Sequence, residues 1–250
     1  MSFQNRKRII LQTVEDKGSV DVQELADSLR TSGMTIRRDL ALLAEQGLIY
    51  RTRGGAMKIS LAKDAFRFEN KAAVRAEQKE VICQRAAREI QEGETIFLDC
   101  GSTVFRLCPY IRERRIRVIT NSLPVVAELM GSQVQVNLAG GEIDPERRAV
   151  HGLMTEWHIG QYRADRAFIG VDGISLANGL SAHSEKEAST ARAMAQQASR
   201  VYLLCDSSKL ETSKYLQFAP LSMIDVMVTD GEADPELLNK YREAGLEILS

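Results

Sequence analysis

The sequence predicts a two-part α/β protein, a small winged helix-turn-helix unit followed by a larger doubly wound α/β unit. Three observations lead there. Two short amphipathic helical patterns, one over residues 22–29 and one with its apolar face at Ile36, Leu40 and Leu43, are separated only by Arg30-Thr31-Ser32-Gly33. The segment 48–57 alternates in polarity and turns on Gly54-Gly55, which reads as a β-hairpin. From about residue 95 onward, short apolar runs alternate with helical stretches, as parallel strands and their crossover helices do.

The N-terminal elements follow in order. Residues 8–15 carry Ile10, Leu11 and Val14 on one face and form a first helix, which Gly18 ends. Residues 19–21 are extended, with Asp21 the expected N-cap of the second helix. In the third helix Ile36, Leu40 and Leu43 form the apolar face, and Ser32 stands in front as a cap. Arg37 and Arg38 lie on its exposed side and diverge by about 100°, so one can reach a base edge while the other reaches a phosphate. Asp39 is expected to cap or to pair with an arginine. Gly47 stops the helix, and the hairpin that follows is a wing with Arg51 and Arg53 facing a phosphate backbone. Helix, turn, helix and wing together imply duplex DNA. The interface residues are Ser32, Met34, Thr35, Arg37, Arg38, Arg51, Arg53 and Gly54. The plainer alternative is a basic helix pair that serves as an interaction domain.

Charge is distributed accordingly. The 250-residue chain has a net charge of −1, which alone argues against nucleic acid. Residues 1–60, however, hold ten Lys/Arg against seven Asp/Glu, and the remainder 23 against 27. A basic reader joined to an acidic body concentrates positive charge where DNA would bind. The four cysteines (Cys83, Cys100, Cys108 and Cys205) show no paired spacing, and no histidine sits at a ligand distance from them. Neither a disulfide framework nor a metal site is expected, and no cofactor. No secretory pattern and no apolar run near 20 residues is present, so a cytoplasmic protein without a membrane span is expected.

Residues 1–58 are read as the DNA-binding domain, 59–74 as a linker and 75–250 as an effector domain. Arg75 opens an amphipathic helix with Val81, Ile82, Ala86, Ala87 and Ile90 apolar. Strands are expected at 95–99, 117–120, 134–139, 166–171, 201–205 and 225–229, and helices at 123–130 and 184–199. Ligands bind beyond the carboxyl ends of strands in such sheets. Those ends read Asp99-Cys100-Gly101-Ser102-Thr103, Thr120-Asn121-Ser122, Ala139-Gly140-Gly141-Glu142, Gly170-Val171-Asp172-Gly173 and Cys205-Asp206-Ser207-Ser208-Lys209. Each is small, glycine-rich or polar, and all five are expected on one rim. Each taken alone is equally a helix cap or a turn. Pro109 falls within the helix expected after the first of them and should kink or shorten it. No Walker A or complete Rossmann glycine fingerprint is present.

Residues 4–58 resemble the N-terminal domain of the DeoR family of bacterial transcription regulators. The matching residues are Thr35-Ile36-Arg37-Arg38-Asp39-Leu40, Glu45-Gln46-Gly47-Leu48-Ile49 and Arg53-Gly54-Gly55-Ala56; Thr31 stands where the family usually places an aliphatic residue. The strand ends, in their order, resemble the effector domain of the same family. That domain is similar in fold to ribose-5-phosphate isomerase and typically senses phosphorylated sugars or related metabolites. The resemblance implies that Gly101, Ser102 and Thr103, beside Asp99, hold a phosphate, and that Asn121, Ser122, Gly140 and Gly141 shape the pocket. It further implies that Asp172 accepts sugar hydroxyls, Lys209 supplies a cation and Glu185 a carboxylate. The function implied is a repressor of a carbohydrate-use operon, acting as a homodimer or homotetramer on operator DNA and controlled by a sugar phosphate. Two alternatives stand beside it. Asp172, Glu185 and Lys209 are residue types able to move a proton between an aldose and a ketose, as an isomerase-like enzyme would. The body could also be ligand-free and purely structural.

Overall fold

The computed structural model describes residues 3–45, 48–51, 54–58, 68 and 74–250. The chain divides into two compact units, Met1–Arg67 and Phe68–Ser250. The division falls within the segment read as a linker.

The first unit contains α1 (Phe3–Lys17), β1 (Ser19–Asp21), α2 (Val22–Ser28), α3 (Gly33–Glu45), β2 (Tyr50–Arg51) and β3 (Gly55–Met57). Gly18, at φ 77°, ends α1. Asp21 caps α2, its carboxylate accepting the Gln23 amide at 2.6 Å. Ile10, Val14, Leu25, Leu29, Ile36, Leu40 and Leu43 close one apolar core, where truncating a fully buried aliphatic costs about 2–5 kcal/mol. The wing is more than a hairpin. β1 pairs with β3, giving a three-stranded sheet in the order β1-β3-β2. This pairing explains Gly55: a Cβ there would lie 1.9 Å from the Val20 carbonyl oxygen.

The second unit is built on a seven-stranded sheet, parallel throughout. Its order is β15 (Glu247–Leu249), β14 (Val226–Val228), β12 (Ala198–Leu204), β9 (Ala164–Ile169), β4 (Thr95–Leu98), β5 (Arg117–Thr120) and β6 (Gln135–Leu138). Side chains alternate between two cores. Ile96, Leu98, Phe168, Tyr202, Leu204, Val226 and Val228 face one; Phe97, Ala167, Ile169, Leu203 and Met227 face the other. Burial on both faces is why these strands read as continuous apolar runs. Ile82, Cys83 and Ala86 of α4 (Ala76–Arg88) cover the first core, together with α5 (Cys108–Ile111) and α6 (Leu123–Leu129). The second is covered by α7 (Leu153–Gly160), α8 (Glu185–Gln196) and α9 (Pro235–Glu243).

Two smaller sheets were not foreseen from sequence. β7 (Glu142–Asp144) and β8 (Ala149–His151) form a hairpin, and β10 (Gly173–Ser175), β11 (Gly179–Ala182) and β13 (Leu216–Ala219) form a three-stranded sheet. The stretch after β4 is a 3-10 turn over Val104–Leu107 followed by the one-turn α5, with Pro109 in its first turn. Among the described residues no helix is long and apolar enough to cross a membrane. β4 is the switch point of the sheet: β5 and β6 extend it on one side and β9 and β12 on the other. A crevice opens beyond the strand ends at such a point.

Candidate functional site

In the first unit α3 presents a polar face over an apolar one. The Ser32 hydroxyl accepts the Thr35 amide at 3.2 Å and meets the Thr35 hydroxyl at 2.9 Å, capping the helix. Ile36 and Leu40 are buried, whereas Met34, Arg37 and Arg38 are exposed. Asp39 is buried and accepts from Arg6, at 2.5 Å from Nε and 3.1 Å from Nη2. This hydrogen-bonded pair raises the pKa of the Arg6 guanidinium and ties α1 to α3. It also turns the carboxylate away from the exposed arginine face. Gly54 is exposed at the tip of the wing. Arg53 and the side chain of Arg51 lie outside the described residues; the Arg51 backbone forms part of β2.

In the second unit a cavity of about 290 Å³ lies beyond the carboxyl ends of β4, β9 and β12. From β4 come Asp99, Gly101, Ser102 and Thr103. Asp99 is buried, and its carboxylate accepts the Gly170 amide at 3.1 Å. Burial raises its pKa, against the opposing effect of backbone donors at Gly170 and Cys100. A Cβ on Gly101 would find ordinary contacts, 3.5 Å from Gly170 Cα and 3.6 Å from both Asp99 and Val104. Packing therefore does not require glycine there, and its absent side chain leaves room on the cavity floor. From β9 comes Asp172, whose carboxylate accepts the His183 amide at 3.1 Å and lies 3.3 Å from His183 Nδ1. From the end of β12 come Asp206, Ser208 and Lys209. Lys209 is half-buried at the rim and makes no ion pair among the described residues.

Three cations of this cavity were not singled out as site residues from sequence. Lys79 of α4 is only 5% exposed and reaches Ser102 Oγ at 3.4 Å. It lies three and four residues before Ile82 and Cys83, so a charge on a buried stripe was the signal available. Arg75 adopts a left-handed conformation at φ 54° and pairs with Asp206 at 3.2 Å and Glu232 at 2.5 Å. Arg147 meets Glu187 at 2.6 Å across the cavity wall.

The ends of β5 and β6 stand apart. Asn121 and Ser122 are fully buried; Asn121 donates to the Val150 carbonyl at 3.0 Å, and the Ser122 hydroxyl caps α6. Gly140 and Gly141 line a second, open cleft of about 490 Å³ together with Gly152, Leu153 and Trp157. Glu185 opens α8 and does not line the cavity, whereas Glu187 does. The site therefore differs from a rim shared by five strand ends, because three of them line it. Asp172, Glu185 and Lys209 do not meet around one position as a proton-transfer set would. What does meet is a hydroxyl-bearing loop, a glycine floor and two ammonium groups, an arrangement suited to an oxyanion with polyol character. Among the described residues no group of three or more His, Cys, Asp or Glu could hold a metal, and all four cysteines are buried.

Comparison with known proteins agrees with both units. Residues 6–61 match the DeoR-like helix-turn-helix domain and residues 74–231 the DeoR C terminal sensor domain. The HTH-type transcriptional regulator GlpR of Haloferax volcanii is 32% identical over 98% of this chain and 96% of its own. The lactose phosphotransferase system repressor of Streptococcus mutans is 32% identical over 97% and 99%, and the glycerol-3-phosphate regulon repressor of Escherichia coli 32% over 92% of each. Among solved structures, ribose 5-phosphate isomerase A from Methanocaldococcus jannaschii matches 53% of each chain at 20% identity and a TM-score of 0.40.

Proposed function

The chain belongs to the DeoR family of transcriptional regulators, and from that premise we propose that it represses a carbohydrate-use operon and releases its operator when a phosphorylated sugar binds. The relatives it matches along nearly their whole length are named as regulators and repressors, with no enzyme among the three. It is a DNA-binding regulator, not an isomerase. The observation that carries the proposal is the meeting of Gly101, Ser102 and the buried Lys79 at the switch point of the sheet.

In this reading Arg37 and Arg38 contact the major groove and adjacent phosphates, with Ser32, Met34 and Thr35 beside them and Arg51, Arg53 and Gly54 on the wing. The phosphate lies on Gly101, Ser102 and Thr103 under Lys79, with Lys209 at its other side. Asp99 and Asp172 face the hydroxyl-bearing part of the ligand. Asn121 and Ser122 shape the site from behind by fixing α6 and the β8 strand. Gly140, Gly141 and Glu185 are outside this arrangement. The protein works in the cytoplasm as a homodimer or homotetramer, its heads on half-sites about 10 base pairs, or a multiple, apart. The ligand must favour the DNA-released state by a few kcal/mol, since equal affinity for both states shifts nothing. Fluorescence anisotropy on DNA from upstream of its own gene, with a panel of sugar phosphates, tests this. Salt-sensitive binding released by one compound is expected; binding that no compound alters would remove the sensor from the reading.

A further inference from the structure

Arg75 holds a backbone conformation that a residue with a Cβ seldom adopts. Its φ of 54° and ψ of 44° lie in the left-handed region. Such a conformation persists where surrounding contacts over-determine it, and here they come from two other elements. The guanidinium reaches Ser207 Oγ at 2.7 Å, just beyond β12, and the Glu232 carboxylate at 2.5 Å, in the turn between β14 and α9. Gln78, three residues further along α4, donates to the same Glu232 at 2.6 Å. Glu232 thus clamps the start of α4 onto the neighbouring strand ends.

The clamp leaves one donor unused. Arg75 Nε is buried and makes no hydrogen bond among the described residues. Asp206 Oδ1 lies 3.2 Å away, but it already accepts the Ser208 amide at 3.1 Å and the Ser208 hydroxyl. A buried guanidinium donor without an acceptor is costly, and an oxyanion suits its fork best. Arg75 lines the ligand cavity, and so does the chain that arrives from the DNA-binding unit, through Phe68 and Val74. Phe68 is buried and packs edge-on against Phe105 at 5.5 Å, in the 3-10 turn that follows Gly101, Ser102 and Thr103. The Arg75 carbonyl accepts the Lys79 amide at 3.1 Å, so the turn that carries Lys79 starts from the left-handed residue. A ligand that fills this cavity therefore meets the connecting segment directly.

We propose that Arg75 is a ligand residue and the point at which ligand occupancy reaches the connecting segment. A phosphoryl oxyanion competes with Asp206 and Glu232 for its guanidinium, and Nε gains the acceptor it lacks. Once the guanidinium turns to the ligand, the left-handed residue at the end of the connecting segment loses the contacts that hold it. The proposal rests on the reading of the cavity as a sugar-phosphate site. A ligand shifts an equilibrium only by its differential affinity for the two arrangements, and the contact to Arg75 exists in one of them alone.

Calorimetric titration of the full chain with inorganic phosphate and with ribose 5-phosphate, without DNA, tests the competition. Arg75→Met keeps the length of the side chain and should weaken binding at least about tenfold. Glu232→Gln removes a competitor that does not line the cavity and should strengthen binding about threefold. That gain should vanish in the double variant, because it acts through Arg75. A purely structural network would instead weaken binding in both single variants. The Glu232 side chain is 58% exposed, so its variant is expected to fold and carries the test even where Arg75→Met does not. Wild-type affinity in Arg75→Met, no gain in Glu232→Gln, or a gain that persists without Arg75 would each overturn the proposal. Anisotropy on DNA from upstream of its own gene then reads the transmission. Saturating ligand should lower DNA affinity at least about tenfold in the wild type and less than about threefold in Arg75→Met. Equal release in both would overturn it. The expected calorimetric pattern with DNA that neither compound releases would count against the repressor reading alone. No binding of either compound to the wild type would overturn the proposal and the sugar-phosphate reading together.

Discussion

The Asp99 carboxylate accepts the Gly170 amide at 3.1 Å, joining the ends of β4 and β9 across the switch point of the sheet. Asp99 is buried, and that burial raises its pKa above the ordinary carboxylate value of about 3.9. Between the unfolded and the raised folded value the native state binds more protons than the unfolded one, so this group's contribution to stability falls as pH rises through that window. Asp99→Asn keeps an acceptor for Gly170 and removes the buried charge. The melting temperature of the variant relative to wild type should therefore rise as pH increases above the ordinary carboxylate value of about 3.9. His151, whose pKa burial lowers and the Asp99 carboxylate raises, has the opposite slope; Asp99→Asn lowers its pKa further, so the change at His151 adds to the same rise. A difference that is flat with pH would refute the assignment.

Two glycines should respond in opposite ways. Gly101→Ala places a methyl group at ordinary contact distances, so stability should change by less than about 1 kcal/mol. The methyl occupies the cavity floor, and sugar-phosphate affinity should fall at least tenfold. Gly141 sits at φ 150°, and a Cβ there would lie 2.2 Å from Thr155 Oγ1 and 2.7 Å from the His151 carbonyl oxygen. Gly141→Ala should cost about 2 kcal/mol or more from strain and overlap. Urea melts and ligand titration of both variants separate the two effects. Equal destabilisation would mean that Gly101 is structural as well.

Arg37→Ala and Arg38→Ala should each weaken operator binding without changing the thermal shift produced by the ligand. A lost phosphate contact lowers the salt slope by about one, whereas a lost base contact costs about 1–3 kcal/mol and relaxes sequence preference. Salt titrations of each variant on specific and random DNA assign the two roles. Wild-type affinity in both would take α3 out of the interface.

Arg6 of α1 and Asp39 of α3 tie two helices of the DNA-binding unit together. Their side chains are 13% and 4% exposed, so Asp39→Ala removes the buried carboxylate that accepts two hydrogen bonds from Arg6. The melting temperature of the first unit should fall by about 5 °C or more. Arg6→Met combined with Asp39→Leu should recover part of that loss. A double variant no more stable than Asp39→Ala would show that the pair matters through more than its charge.

How much of this was legible in the sequence depends on which face a residue uses. The parallel strands were readable because alternate residues such as Ile96 and Phe97 enter different cores, leaving an unbroken apolar run. Glu142–Asp144 and Glu247–Leu249 were not, because these short strands pair through their backbones and carry exposed or half-buried side chains. Strand order was not readable either, since neighbours are chosen by packing rather than by local pattern. That order separates the glycine-rich ends. β6 lies two strands from β4, or about 10 Å, on the side away from β9 and β12. Gly140 and Gly141 therefore open onto another cleft although their composition matches that of Gly101. On the recognition helix, by contrast, Ile36 and Leu40 against Arg37 and Arg38 already divided inside from outside.

Lys79 provides the sharpest test of the ligand site. Lys79→Met keeps most of the buried volume of this helix position and removes the charge, so it separates ligand affinity from packing. If Lys79 faces the phosphate through Ser102, from which it lies 3.4 Å, the same variant should lose about 2–3 kcal/mol of ligand affinity, the worth of a charge-assisted hydrogen bond. Lys209 is half-buried at the rim, where water screens its charge, and Lys209→Ala should cost less, about 1 kcal/mol. Both variants should still bind DNA and should require more ligand to release it, Lys79→Met far more than Lys209→Ala. Thermal-shift titration with ribose 5-phosphate, and with inorganic phosphate as the minimal anion, gives the order directly. Wild-type affinity in Lys79→Met would place the phosphate elsewhere in the cavity and leave the buried lysine a structural group.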